Sequence, residues 1–513
     1  MTSPLGVERP ARLAALVSAA PGRRRQVTHS PFDGSGIGEV PTCTADDVAA
    51  AVARARAAQR GWAARPLRER AAVARRYHDL VLARQDELLD LIQVESGKSR
   101  ASAHEEVADV AANALYYART AGRHLRTRRR EGAVPLLTTT VVHHRPRGVV
   151  GVISPWNYPF TLAVSDAVPA LVAGNAVVLK PDRQTPFTAL AAVELLREAG
   201  LPPDLFHVVT GEGTVLGPSL IDAVDFVMFT GSTAVGRVVA EQCGRRLIGF
   251  SAELGGKNPM IVLADSDVEA AARQAVHACF SNSGQLCISI ERIYVEAPVY
   301  DRFAAAFAHR VRQMRLAAGL TWDADMGSLV SAAQLAVVRR HVDDAVAKGA
   351  RVLAGGRERP DLGPLFFEPT VLEGVTEDME VARAETFGPV VSLYRVRDAA
   401  EAVARANDSE YGLNAAVWST SRRGAAVAAR LQVGTANVNE GYAATWSSYD
   451  APMGGWKASG VGRRHGREGI VKYTEAQTVA VQRLMRIHPP DGVGGQRWAA
   501  LVTTGVRLLR LRG

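Results

Sequence analysis

After Gly132 the chain leaves helical periodicity for short apolar runs that alternate with helices, and this alternation constrains the fold more than any other feature. VVGVIS is apolar nearly throughout and reads as a buried strand. PFTLAVSDAVPALVAG reads as a helix stopped by glycine, NAVVLK as the next strand and TPFTALAAVELLREAG as another glycine-stopped helix. LFHVVTG and AVDFVMFTG continue the pattern. Strands apolar on both faces, joined through helices, make parallel sheets covered by helices on each side. Such sheets bind ligands beyond the carboxyl ends of their strands, where VLKPDR and FTGS lie. A second α/β stretch opens near Lys257 with NPMIVLAD, the helix DVEAAARQAVHACF and ISIERIYVE, and runs through EPTVLEGV, PVVSLYRV, LNAAVWS and GTANVNE. Between Thr44 and Arg130, by contrast, apolar residues recur every three or four positions, as helices require.

Hydrophobic residues at 47% and charged ones at 22% belong to a soluble globular protein of several domains. Cys43, Cys243, Cys279 and Cys287 form no CxxC and no zinc-like spacing, so neither a disulfide framework nor a metal site is expected. Early arginines interrupt any signal-like run, and no stretch reaches the roughly 20 apolar residues that span a bilayer. The expected location is the cytoplasm. The net charge of +9 permits nucleic-acid binding, but RTRRR at Arg126 to Arg130 is the only dense basic run besides the two ends. With arginines not gathered on one face, an anionic substrate or phosphorylated cofactor explains the sign, and no nucleic-acid partner is expected.

Only six of the 61 basic residues are lysines, so Lys180 in VLKPDRQTP stands out, with Arg183 three residues on. The pair can hold a nucleotide or simply be a solvated turn. DGSGIG, Asp33 to Gly38, is followed by no helix and reads as a hairpin turn without a phosphate role. TGEGTVLG, with Gly213 and Gly217, follows a strand and enters a helix, though its glycines are spaced more widely than a dinucleotide fingerprint. In FTGSTAVG a strand ends at Phe229, Gly231 allows close approach, and Ser232 offers a hydroxyl at a helix N-terminus.

Cys279 lies in an apolar helix and reads as packing, whereas Cys287, ending SNSGQLC, sits among small and polar residues. It is either a nucleophile or a buried thiol. Glu253 ends an apolar strand in SAELGGKNP and is a general base or a surface acid. Asn157, in SPWNYP, is an N-cap or an oxyanion donor.

WNYP, VLKP, FTGS, ELGGK, GQLC, ETFGPV and PMGGWKASGVGR, in this order and over Thr44 to Thr478, resemble the aldehyde dehydrogenase superfamily. The resemblance implies two Rossmann-like parallel-sheet domains and a small β arm for oligomerisation. Residues 1–130 and 147–255 would bind cofactor, 256–455 would be catalytic, 131–146 and 473–488 would be the arm, and 489–513 an amphipathic basic tail. That tail would pack on its own protein or touch a membrane surface. Cys287 is then the nucleophile, Asn157 the oxyanion donor and Glu253 the base. Trp156, Asn157, Lys180, Pro181, Asp182, Arg183, Gly213, Gly217, Phe229, Gly231, Ser232, Leu254, Glu385 and Phe387 fall at cofactor-contacting positions. Homodimers or homotetramers are expected.

Many NAD-using members carry a glutamate where this chain has Arg183, so NADP is the expected cofactor ahead of NAD. The wording is most like NADP-dependent succinate-semialdehyde dehydrogenases. Two arginines expected in that branch are replaced by Ser281 and Ser165, however, leaving Arg119 as a candidate anchor for a distal carboxylate. A medium- or long-chain or aromatic aldehyde is the alternative substrate. A CoA-acylating enzyme would lack Glu253, and a silent structural member would lose Cys287 or Glu253.

Overall fold

The computed structural model describes residues 6, 8–132, 138–483 and 488–510. A short helix, Glu8–Ala14, is followed by a hairpin, β1 (Arg25–His29) and β2 (Gly36–Pro41), with DGSGIG forming its turn and the start of β2. Helices then fill residues 45–125. Next come β3 (Arg128–Arg130) and β4 (Thr138–Pro146). β5 (Val149–Ile153), β6 (Ala176–Lys180), β7 (Phe206–Val208), β8 (Phe226–Thr230) and β9 (Gly249–Glu253) alternate with helices. β10 (Asn258–Val262), β11 (Ile290–Glu296), β12 (Arg351–Ala354), β13 (Thr370–Glu373) and β14 (Val390–Val396) follow. The last strands are β15 (Tyr411–Gly412), β16 (Asn414–Trp418), β17 (Thr435–Val438), β18 (Trp456–Lys457), β19 (Gly460–Val461) and β20 (Thr474–Gln482).

Two large sheets result. The first runs β19-β9-β8-β5-β6-β7 and is parallel from β9 to β7, with β19 antiparallel at its edge. The second runs β12-β13-β14-β11-β10-β16-β17, parallel except for β12. Their central strands are buried on both faces, as the continuous apolar runs require. Cores of valine, alanine, leucine and phenylalanine seal the second sheet on each side. The segment read as one helix after WNYP is two, Thr161–Val164 and Ala167–Ala173, broken at Ser165 and Asp166. Both residues keep right-handed helical dihedrals, and the buried Asp166 carboxylate faces Arg464 and Lys472 at 2.9 and 3.1 Å.

Contacts divide the chain into two compact units. The larger comprises Met1–His124 and Pro146–Thr474, and the smaller comprises Leu125–Arg145 and Glu475–Gly513. Within the smaller, β20, β4 and β3 form a three-stranded sheet, and a helix spans Gly495–Leu509. Of the expected arm and tail, residues 133–137, 484–487 and 511–513 lie outside the described residues. Among the described residues, no helix is long and apolar enough to cross a membrane.

Candidate active site

Because β5, β6, β8 and β9 are parallel, their carboxyl ends gather Lys180, Thr230 and Glu253 at one edge of the first sheet. A cavity of about 500 Å³ opens there. Trp156, Asn157, Lys180, Asp182, Phe229, Gly231 and Ser232 line it, and so do Glu253, Leu254, Cys287, Glu385 and Phe387. Four of the expected cofactor positions stand outside this lining. Pro181 gives its carbonyl to Lys180 Nζ at 2.9 Å. Gly213 starts the helix Gly213–Ala223, where a Cβ would stand 3.7 Å from that same Nζ, and Gly217 lies one turn further on. Arg183 pairs with Glu212 at 2.6 Å and lines a separate cavity with Arg24, Arg25 and Gln26.

Cys287 follows a tight turn, Ser281–Gly284, whose Asn282 and Ser283 both take left-handed φ. Left-handed backbone in non-glycine residues is costly and persists only when surroundings dictate it. Here Asn282 Nδ2 donates to the carbonyls of Asn157 and Gln285 at 3.0 Å, and Ser283 Oγ donates to the carbonyl of Gly327 at 3.1 Å. Asn258 Nδ2 donates to the Cys287 carbonyl at 2.8 Å. Asn157 Nδ2 reaches the Gln285 carbonyl at 3.1 Å, which brings its amide against the nucleophile loop. The Asn157 carbonyl is in turn held by Lys98 Nζ at 2.7 Å. Lys98 and Glu106 form a fully buried ion pair at 2.5 Å, and Glu106 also accepts the N–H groups of Phe160 and Thr161.

A second buried pair, Lys257 and Glu291 at 2.5 Å, fixes the other wall. Glu291 accepts the N–H groups of Thr386 and Phe387 at 2.9 Å, holding Phe387 at a φ of +51° with its ring edge-on to Trp156. Glu385 accepts the Gly256 N–H at 2.7 Å, and a Cβ on Gly255 would stand 2.4 Å from its Oε2, so a side chain there would push this carboxyl aside.

Charge at this site is set by burial. Glu253 is 5% exposed, and among the described residues its Oε1 has no hydrogen-bond partner. Burial pushes its carboxyl up to about 7, against the downward pull of Arg464 and Lys472. Burial also pushes the Cys287 thiol up to about 12, with the charges of Glu253 and Glu385 adding to it. Glu385 is raised to about 8 by burial and by Glu291. Cys43, Cys243 and Cys279 are buried, whereas Cys287 is partly accessible.

A further cavity of about 420 Å³ lies on another side of the nucleophile loop, lined by Leu286 and Ile288, which flank Cys287. Tyr158, Tyr442, Trp446 and Tyr449 give it aromatic walls, and Glu105 and Asp109 give it two carboxylates. Glu105 accepts from Tyr158 Oη at 3.0 Å, Ser281 Oγ at 3.2 Å and Tyr442 Oη at 3.3 Å, and His277 Nε2 stands 3.4 Å away. Asp109 accepts from Ser165 Oγ at 2.9 Å and Tyr449 Oη at 3.1 Å. Ser281 and Ser165, standing where arginines were expected, thus serve the protein's own carboxylates. Arg119 does not replace them: it is exposed on the helix Arg100–Leu125 and lines neither cavity.

Sequence reading passed over Lys98, Glu105, Glu106, Asp166, Glu291 and Arg464. Lys98 alone carried a signal, as one of six lysines. The others are single charges whose partners lie tens to hundreds of residues away.

Residues 17–479 match the aldehyde dehydrogenase family. A protein of Mycolicibacterium smegmatis named "Putative succinate-semialdehyde dehydrogenase [NADP(+)]" is 58% identical over 98% of this chain and 97% of its own length. A crystal structure described as a succinate-semialdehyde dehydrogenase from Burkholderia pseudomallei superposes with a TM-score of 0.86 at 37% identity, covering 90% of this chain and 96% of that one. One described as an E. coli NADP dependent enzyme gives 0.87 at 36% identity, covering 91% and 97%. With these strands, this cysteine-lined cavity and a match over most of its length, the chain belongs to the aldehyde dehydrogenase family.

Proposed function

We propose that the protein oxidises an aldehyde to its carboxylic acid with NADP, Cys287 acting as nucleophile and Glu253 as base. The observation that carries this is the shared cavity. It joins Cys287, Glu253 with an unpartnered carboxylate oxygen, and the Asn157 amide to the carboxyl ends of a parallel sheet. These residues fit a dinucleotide. Ser232 caps the open N-terminus of the helix Thr233–Arg246, Glu385 offers a carboxylate for ribose hydroxyls, and Trp156 and Phe387 offer rings.

In the mechanism Cys287 Sγ attacks the carbonyl carbon while Glu253 takes the thiol proton, which a thiol held near 12 does not release unaided. The oxygen that gains charge is stabilised by Asn157 Nδ2 and the Cys287 N–H. Trp156, Glu385 and Phe387 would hold the oxidised nicotinamide half of the cofactor, which would supply an acceptor for the hydride of the thiohemiacetal carbon. The acyl group then rests on Sγ as a thioester. Glu253 passes the thiol proton to solvent and then deprotonates a water; the hydroxide adds to the thioester carbonyl, and the tetrahedral adduct collapses to the free acid and the Cys287 thiolate.

Arg183, held by Glu212, supplies the guanidinium for the 2′-phosphate of NADP. Succinate semialdehyde is the substrate carried over from the names of the relatives. The carboxylates of Glu105 and Asp109 favour a second reading, an aldehyde with an uncharged apolar or aromatic far end. Residues 1–130 and 147–255 carry the cofactor and 256–455 the nucleophile, while 131–146 and 473–488 join copies into a dimer or tetramer, working in the cytoplasm. The test is the initial rate of nicotinamide reduction with succinate semialdehyde and with hexanal, each with NADP and NAD, against a Cys287→Ala blank. Product analysis must find free acid. Acyl-CoA formation, or turnover that survives in Cys287→Ala, would refute the proposal.

A further inference from the structure

We propose that the helix Gly495–Leu509 docks this protein on the surface of a membrane rich in anionic lipid. Charge is the first observation. The smaller unit, residues 125–145 with 475–513, holds eleven arginines, no lysine and three acidic residues, Glu131, Glu475 and Asp491. It therefore carries eight of the chain's nine net positive charges. The arginines do gather, contrary to the sequence reading, because runs 350 residues apart in sequence belong to one folded unit.

The helix itself is the second observation. At 100° per residue, Trp498, Leu501, Val502, Val506 and Leu508 fall on one half and Arg497, Thr503, Thr504 and Arg507 on the other. Trp498 is half-buried, but the rest of the apolar half faces solvent: Leu501 is 63% exposed, Val506 61% and Leu508 59%. No acidic residue follows Asp491. A helix with a wide apolar face, a purely cationic polar face and too little length to span lies in the interface plane of a bilayer. Anionic headgroups attract the arginines and the acyl boundary takes the leucines and valines.

Other occupants fit less well. Copies are already joined, in the reading above, through 131–146 and 473–488, which do not include this helix, and a nucleic-acid backbone has no use for the leucines and valines. The helix also lies beyond residue 479, where the family match ends, so the dehydrogenase site described above does not account for it.

The test is co-sedimentation of the full chain with vesicles of phosphatidylcholine alone and of phosphatidylcholine mixed with phosphatidylglycerol. The bound fraction should be about tenfold higher on the mixed vesicles and fall as salt rises. The surface variant Leu501→Glu/Leu508→Glu should lose vesicle binding while keeping its mass in solution and its turnover of a soluble aldehyde. Arg497→Gln/Arg507→Gln should weaken binding to the mixed vesicles. Absence of binding to mixed vesicles, or binding unchanged in the leucine variant, overturns the proposal. Retention on double-stranded DNA that the leucine variant keeps, without vesicle binding, assigns the charge to nucleic acid. Loss of assembly in that variant, again without vesicle binding, assigns the helix to an interface between copies.

Discussion

Replacing Glu253 with glutamine is the sharpest test of the site, because the burial of its carboxyl sets the pH dependence of the effect. Glutamine keeps the shape of a side chain that is 5% exposed, so packing is undisturbed. What goes is a base with pKa about 7, well above the ordinary value of 4.5. That elevation corresponds to about 3 kcal/mol against the charged form, supplied by burial. The sign follows directly. A base works unprotonated, so turnover is full above the pKa and declines as pH falls through about 7. About half of the molecules are competent at pH 7, and about a tenth at pH 6. In Glu253→Gln, turnover should fall by about 10²- to 10⁴-fold and the limb near pH 7 should vanish. The assay is reduced-nicotinamide absorbance from pH 5 to 9 at saturating aldehyde and cofactor, with rapid mixing to separate acylation from hydrolysis. An acid limb unchanged in the variant, or a wild-type limb near 4.5, would refute the reasoning.

Arg464→Met removes the cation that most opposes the rise at Glu253, so the acid limb should move to higher pH. Asp166, left with Lys472 alone, should also lower the thermal midpoint, since a buried carboxylate then loses one of its two cations. Arg183→Gln should raise KM for NADP about tenfold and leave NAD unaffected, while Glu212→Gln should lower KM for NADP by freeing Arg183. Glu105→Gln should raise kcat/KM for succinate semialdehyde by about tenfold and leave hexanal within twofold, measured as paired initial rates. Equal effects on the two aldehydes would remove Glu105 from substrate selection.

What the sequence revealed depended on whether the information was local. Strands such as VVGVIS and NPMIVLAD were legible because a strand buried on both faces must be apolar along its length. Cys287 and Glu253 were legible through the motifs around them, and the structure puts both in one cavity. Ser165 and Ser281 showed that two arginines were missing but not what replaced them. Glu105 and Asp109 look like any helical acid until Ser281, Ser165 and three tyrosines close on them from distant positions. The pairing of Asp166 was hidden for the same reason, since its partners Arg464 and Lys472 lie about 300 residues away. Charge was hidden too, because β3 and the last helix are basic segments of one unit at opposite ends of the sequence.

The unequal burial of the four thiols makes the protein its own counting standard. Burial pushes Cys43 and Cys243 up to about 11 and raises Cys279 well above the ordinary thiol value, so acidity favours none of the four. Access alone separates Cys287 from the rest. A small alkylating reagent should therefore modify one thiol per chain, and the label incorporated should report how many centres in a preparation are intact before any aldehyde is added.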